Sequence, residues 1–409
     1  MKNKYPAGLN KINKIKVLDL IRSSRTISRA AIVKSTNLSA PTVSRIVDNL
    51  ISKDKLVLDV GLGDSGGGRP PNLVKFNGSD KYIIGVQLEQ KHMRCVFANL
   101  DAKVISEIMI PIFSKDGFDS IMDKTCDAIS NIINSSGEDK KNILGIGISI
   151  AGLINKKSKI VEFSPDFNWR DVDVVGSLSK HFDLPIIIDN EMRVIAIGEI
   201  ALGVGKKFSN FICVGIGHGI GAGIVIDGKP FYGNHGIAGE FGHTVIEKDS
   251  DVKCVCGNYG CLEAYASERG VVQAAKKVLK NNPKTILNDM CANNIDLLTF
   301  EMIAEAANLK DKVAKDIFLV ASKYIALGIS NLIRIFDPEA IVIGGGVALP
   351  EKLLLSSIKK NVNKRAMTGL SKEVQIIRTT FKGKAAVMGT VALIIHEILN
   401  FNIPSINNN

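Results

Sequence analysis

Apolar residues fall at helical intervals over the first fifty positions of the chain. Ile12, Ile15, Leu18 and Ile21 recur every third residue, which predicts a helix with one buried face. Ser28, ahead of Ala31 and Ile32, is placed to cap a second, short helix, and Ser39 to cap a third. In the third segment, PTVSRIVDNLISK, residues Val43, Ile46, Val47, Leu50 and Ile51 form an i, i+3, i+4, i+7, i+8 stripe. Pro41 suits the first turn of that helix. Two short helices around a tight turn, the second amphipathic, predict a helix-turn-helix. KLVLDVG then reads as a wing strand. LGDSGGGRPPNLV reads as flexible chain, either a plain linker or an arm whose Arg69 reaches phosphates or a narrow minor groove.

From residue 80 the pattern changes to short β runs alternating with helices. YIIGVQLEQKHMRCVFANLDAKVI is followed by a helical stretch near 117–135 and then by ILGIGISIAGLI. FICVGIGHGIGAGIVIDGKPF is followed by helical segments, among them 312–334, and then by AIVIGGGVALP. Each half thus has a hairpin, helices, and a buried strand ending in small residues, which predicts a duplicated α/β unit. Ligands of such proteins sit between the halves, at strand C-termini and helix N-termini. The expected organisation is a winged head over 1–60, a Gly/Pro linker over 61–79, a first lobe over 80–200 and a second over 201–409. The last helix is a candidate to return to the first lobe.

Charge changes the picture at the head. Residues 1–75 hold 14 Lys/Arg against 5 Asp/Glu, while the remaining 334 residues hold 38 against 36. A strongly basic head on a nearly neutral body favours phosphate neutralisation, hence double-stranded DNA, over a protein-docking role for the helix pair. The outward face of the third helix offers Thr42, Ser44, Arg45, Asp48 and Asn49, and its N-terminal turn, with Ser39 and Pro41, is where base edges are normally read. One short helix reads few bases, so operator binding implies a homodimer or a dimer of dimers. No uninterrupted apolar run reaches the roughly 18 residues that span a bilayer, and seven cysteines, an odd number, fit a reducing cytoplasm.

GEFGHTVIEKDSDVKCVCGNYGCLEAYAS concentrates His243, Cys254, Cys256 and Cys261 within 19 residues. Three thiolates and one imidazole complete a tetrahedral Zn2+ shell with no open position, so the metal is expected to be structural. Cys95, Cys126, Cys213 and Cys291 are scattered and read as core.

Together these segments resemble the ROK family, named for repressors, open reading frames and kinases. GEFGH followed by CVCGNYGCLE resembles its zinc signature, VGIGHGIGAGIVIDGK its glycine-rich segment, and IVIGGGV its late glycine motif. The head, with ISRAAIVKSTNLSAPTVSRIVDNLI and GGGRPP, is similar to the DNA-binding extension of the repressor branch, xylose repressors included. The resemblance implies an α/β fold: an N-terminal winged helix-turn-helix followed by an actin-like body of two ribonuclease-H-like lobes around a sugar cleft. It carries monosaccharide contacts onto Gly152, Asp166, Asn190, Glu191, Glu240, His243 and Glu263. Asp166 stands where the family usually has Asn. His243 would face zinc through one nitrogen and the sugar through the other. Asn190, with Asp189, has the alternative of capping the following helix.

Family kinases carry an Asp at the base position, where this chain has Glu191, and Asp-x-Gly-Gly-Thr in the opening hairpin, where it has Gln87, Glu89, Gln90 and Lys91. A longer carboxylate displaces the base, and Glu89 repels phosphate. His218 stands where Thr is usual and Ala222 replaces a glycine. The expectation is therefore a cytoplasmic, sugar-responsive repressor of carbohydrate-utilisation genes without an ATP requirement. Its effector would be a monosaccharide or sugar phosphate, xylose being one candidate. The rival is a sugar kinase with a DNA-binding extension.

Overall fold

The computed structural model describes residues 7–63, 70–155, 157–281, 284–345, 351–366 and 373–400. The head contains α1 (Ala7–Ser23), β1 (Ile27–Ser28), α2 (Arg29–Thr36), α3 (Ala40–Ser52), β2 (Val57–Leu62) and β3 (Asn72–Phe76). Ser28 and Ser39 cap α2 and α3 by accepting from the amides of Ala31 and Thr42. The turn between these helices uses Asn37 in the left-handed region (φ 58°), where a short polar side chain costs little. Val43, Ile46, Val47 and Leu50 are buried, as the stripe predicts. On α1 the buried face is Val17, Leu18 and Ile21, whereas Ile12 is 61% exposed.

The segment 61–79, expected as a linker, holds part of the wing. Strand β3 runs antiparallel to both β1 and β2 and is central in the order β1-β3-β2. NLVKF alternates too briefly, next to Gly and Pro, for periodicity to mark it as a strand. Pairing with β2 supplies the missing stabilisation.

The first lobe comprises β4 (Tyr82–Leu88), β5 (His92–Asn99), β6 (Val104–Pro111), α4 (Phe118–Ser136), β7 (Ile143–Ile150), β8 (Leu153–Ile154), β9 (Val161–Ser164), β10 (Trp169–Val172), α5 (Val174–Ser179), β11 (Ile186–Asn190) and α6 (Glu191–Leu202). The second comprises β12 (Phe211–Ile216), β13 (Ile220–Ile226), β14 (Lys229–Pro230), α7 (Leu262–Ala266), α8 (Glu268–Leu279), α9 (Leu287–Met290), α10 (Phe300–Asn308), α11 (Lys312–Phe336), β15 (Ala340–Gly345), α12 (Glu351–Arg365), β16 (Gln375–Arg378) and α13 (Ala385–Leu399). The two main sheets have one topology. Orders β11-β7-β4-β5-β6 and β14-β13-β12-β15-β16 each combine an antiparallel meander with two strands parallel to its first. The body is a duplicated, actin-like pair of lobes.

By length and composition α11 is apolar enough to cross a membrane. It is instead the core helix of the second lobe, with Ile317, Phe318, Ile325 and Ile329 buried and Phe318 edge-on to Phe300.

Two helices join the parts. One side of α6 lies on the second sheet, where Gly215, Gly221 and Gly223 leave room for Met192; a Cβ at Gly223 would stand 2.2 Å from the Met192 carbonyl oxygen. Its other side crosses α13 at Gly198 and Gly389, where a Cβ on Gly389 would stand 2.2 Å from the Val194 oxygen. Helix α13 returns to the first lobe and packs on β4 and β7. The C-terminal end of α13 also shares one buried apolar cluster with the head: Ile395, Ile398 and Leu399 with Val17, Leu18 and Ile21.

Candidate sugar cleft, metal centre and DNA-reading face

The cleft forms where β4, β7 and β11 end opposite the glycine-rich hairpin of the second lobe. Asn190 closes β11 and caps α6: its Oδ1 accepts from the amides of Met192 (2.9 Å) and Arg193 (3.4 Å), and its Nδ2 donates to Gly152 O at 2.9 Å. The capping role is therefore realised. Gly152, at φ 147°, is a glycine of necessity, because a Cβ there would stand 2.4 Å from Phe163 O.

Beside this cap, Glu191 begins α6 and accepts from Gln87 Nε2 at 3.2 Å. Gln87, only 3% exposed, also donates to Glu89, and Glu89 contacts His92 Nε2 at 2.7 Å. Burial pushes the Glu191 carboxyl up to about 8; the charges of Glu89 and Asp166 add to the rise and the Gln87 hydrogen bond opposes it. Burial likewise raises Glu89, against the lowering effect of His92 and Arg94. Asp166, in the turn between β9 and β10, is raised by burial against the charges of His218 and Arg269. At neutral pH a carboxyl titrating at about 8 is about nine-tenths protonated, so Glu191 is a hydroxyl-like donor more than a base.

The second lobe completes the ring. Glu263, 6% exposed, accepts from the amide of Ile220 at 2.9 Å and from Arg269 at 3.2 Å. His218 Nδ1 lies 3.2 Å from Glu268. Glu240 lies 3.8 Å from His243 Nε2 and is raised by burial, with His243 and Arg193 opposing. Contacts and electrostatic neighbours thus link Asn190 to Gly152, Glu191 to Asp166, Asp166 to Glu263, and Glu240 to both Glu263 and His243. The residues that sequence reasoning missed there are Glu268, which pairs with His218, and Arg269, which pairs with Glu263. An acid-and-base sequence, LEAYASER, was the available signal.

His243 turns its Nδ1 the other way, 3.5 Å from Cys254 Sγ; Cys256 Sγ and Cys261 Sγ are 3.7 Å apart, and all four donor atoms lie within 4.8 Å of one another. Ligands at about 2.0–2.3 Å around one tetrahedral ion are separated by about 3.5–3.8 Å, so the donor set fits a metal of that geometry. Short β-bridges, Val245 to Cys261 and Lys253 to Tyr259, fold the loop, and Gly257 turns it at φ 96°. Burial, then the neighbouring thiols, push Cys261 up to about 12, a cost that a bound cation reverses. Cys95, Cys213 and Cys291 are buried and Cys126 is half-buried, away from this cluster.

On the head, Ser39, Pro41, Arg45 and Asn49 are exposed and Thr42 and Ser44 half-buried; all but Asn49, which lies in the C-terminal half of α3, are at or near its N-terminal half. Arg45 donates to Asn10 of α1 at 3.3 Å, and Asp48 pairs with Arg29 at 2.7 Å, so the outward face is pre-ordered by cross-helix contacts. Arg69 lies outside the described residues.

Comparison with known proteins agrees with this layout. The family model described as the ROK family matches residues 83–397. The xylose repressor of Caldicellulosiruptor bescii is 34% identical over 393 residues, covering 96% of this chain and 98% of its own. A solved ROK family transcriptional regulator, a homologue of the E. coli Mlc protein, superposes with TM-score 0.83 at 25% identity over 96% of this chain and 97% of its own. A ROK family glucokinase from Streptomyces griseus, solved with glucose and AMPPNP, superposes with TM-score 0.68 at 29% identity, over 76% of this chain and 98% of its own. The kinase is matched almost entirely by the two lobes, and the regulator by head and lobes together. With its duplicated lobes, its His/Cys cluster and a family match across the whole body, the chain belongs to the ROK family.

Proposed function

We propose that this protein is a sugar-responsive transcriptional repressor whose cleft controls a DNA-binding head. One observation carries the reading: the head and the end of α13 share a single apolar core, and α13 crosses α6, whose first turn carries Asn190 and Glu191. A ligand that closes the lobes on α6 would shift α13 and with it the head. It acts only to the extent that it binds the two arrangements with different affinity.

In this reading Gly152, Asp166, Asn190, Glu191, Glu240, His243 and Glu263 contact a monosaccharide. Structural Zn2+ on His243, Cys254, Cys256 and Cys261 orients the imidazole and Glu240. Ser39, Pro41, Thr42, Ser44, Arg45, Asn49 and Arg69 face an operator bound by a cytoplasmic homodimer. The relative named for xylose makes that sugar the first probe. Phosphoryl transfer is disfavoured by a protonated Glu191 and by Glu89 at the phosphate end, although the likeness to a glucokinase favours testing it.

A thermal-shift panel of free and phosphorylated monosaccharides, followed by operator binding with the best binder, tests the reading, since a ligand of the folded state raises apparent stability. The expected result is a shift with a free sugar and altered operator affinity. No shift together with ATP-dependent turnover that Glu191→Gln abolishes would replace the repressor by the kinase. Arg45→Ala is expected to weaken specific operator binding by about 1–3 kcal/mol without changing sugar affinity. An unchanged footprint would remove α3 as the reading helix.

A further inference from the structure

We propose that Arg193 is a positioning residue that clamps the Glu240 loop of the second lobe onto the first, setting Glu240 and His243 before any ligand arrives. The inference rests on the sugar reading of the cleft for its affinity readout only. Arg193 is the third residue of α6 and is 3% exposed. Its Nε donates to Asp189 Oδ1 at 2.7 Å and its terminal nitrogen to Gly236 O at 2.8 Å. Its guanidinium lies 5.2 Å from the centroid of the Tyr232 ring, and Tyr232 hydrogen-bonds Asp189. Asp189 is the penultimate residue of β11 in the first lobe, whereas Tyr232 and Gly236 belong to the loop between β14 and Glu240.

The clamp spans the lobes with three different interactions that only a planar fork can make together. Lysine has the charge but not two donors in fixed directions. The far end of the loop is held independently, since Ala222 N of β13 donates to Gly239 O at 2.8 Å. Gly239 is at φ 99°, and a Cβ there would stand 2.0 Å from Ala222 O. The loop is thus fixed to β13 at Gly239 and to α6 at Gly236, with Glu240 immediately following. Because Asp189 also accepts from the Asn190 amide at 2.7 Å, the same carboxylate aligns the cap of α6. The buried charge pair is reinforced by hydrogen bonds to Gly236 O, to the Asn190 backbone amide and to Tyr232, the kind of support such a pair needs to persist.

The test compares Arg193→Met, Arg193→Lys and the charge-neutral double variant Asp189→Asn/Arg193→Met, which keeps the readout available should the single Met variant misfold. Hydrogen exchange is measured in the ligand-free protein, with affinity for the strongest free monosaccharide of the panel. Arg193→Met is expected to speed exchange across 236–240 at least about tenfold and to weaken sugar affinity about tenfold or more, with Arg193→Lys intermediate. In a Glu240→Gln background the affinity effect is expected to shrink to under about threefold, because the clamp acts through Glu240. Unchanged exchange, or affinity losses that simply multiply with Glu240→Gln, would overturn the proposal. A protein that binds no sugar would overturn the sugar reading instead and leave the exchange result to decide the clamp.

Discussion

Glu191→Gln is expected to leave the unfolding free energy at pH 5 within about 1 kcal/mol of the parent protein and to raise it by on the order of 4 kcal/mol at pH 8.5. The sign follows from the proton. The Glu191 carboxyl is raised from 4.5 to about 8 in the folded state, by burial first and by Glu89 and Asp166 next. A raised carboxyl contributes stability that is fully present below the unfolded value and is lost as pH rises through the folded one. The parent protein therefore weakens between about pH 4.5 and pH 8, and the amide, which cannot ionise, does not. Denaturant melts of both proteins at pH 5, 7 and 8.5 measure the difference. Parallel stability curves would mean that no proton is held at this position, and the account of Glu191 as a donor would fall with it. The same proton bears on function. A neutral Glu191 can share a hydrogen bond with a sugar hydroxyl at neutral pH, while a base for phosphoryl transfer has to be ionised.

The second large effect is expected at the metal centre. Cys256→Ser is expected to cut zinc uptake from about one ion per chain to a small fraction, since it removes one of the four donors that cluster among the described residues. Cys256 is exposed while Cys254 and Cys261 are buried, so the substitution removes a ligand with little loss of packing. His243 is then free to rotate, and Glu240, 3.8 Å from its Nε2, loses a fixed neighbour. Loss of such orienting contacts typically weakens binding 10–100-fold, so sugar affinity should fall by about that factor while ligand-free operator binding persists. Elemental analysis and a sugar titration of operator release check both halves. Full sugar response in a protein shown to carry no metal would separate the cluster from the cleft.

The motifs that were legible in the chain are those whose partners lie close in sequence. The stripe of α3, the caps at Ser28 and Ser39, and the four metal donors within residues 243–261 each complete themselves locally. Backbone periodicity and short loops fix such geometry almost regardless of the rest of the fold. Duplication of the body was also visible, because each half repeats one order of strands and helices. Short local signals mislead: residues 72–76 read as linker yet form β3, and Ile12, in step with Ile15, Leu18 and Ile21, is 61% exposed.

The opening hairpin marks the division most clearly. Its sequence told that phosphate-binding residues were missing, and nothing about what replaced them. Gln87 meets Glu191 across 104 positions of chain, and Arg193 meets Gly236 across 43. The glycines of the second hairpin, which in sequence resemble the family's glycine-rich segment, also make room for Met192 of α6. The head reaches the body through the last helix of the chain. By itself the sequence determined most of the elements, the duplicated lobes, the basic head and the His/Cys cluster that could hold a metal. Tertiary structure alone decided which carboxylates lie close enough to raise one another, which arginine bridges the lobes and which helix packs against both the body and the head. These depend on approaches between segments distant along the chain, and no local periodicity encodes such distances.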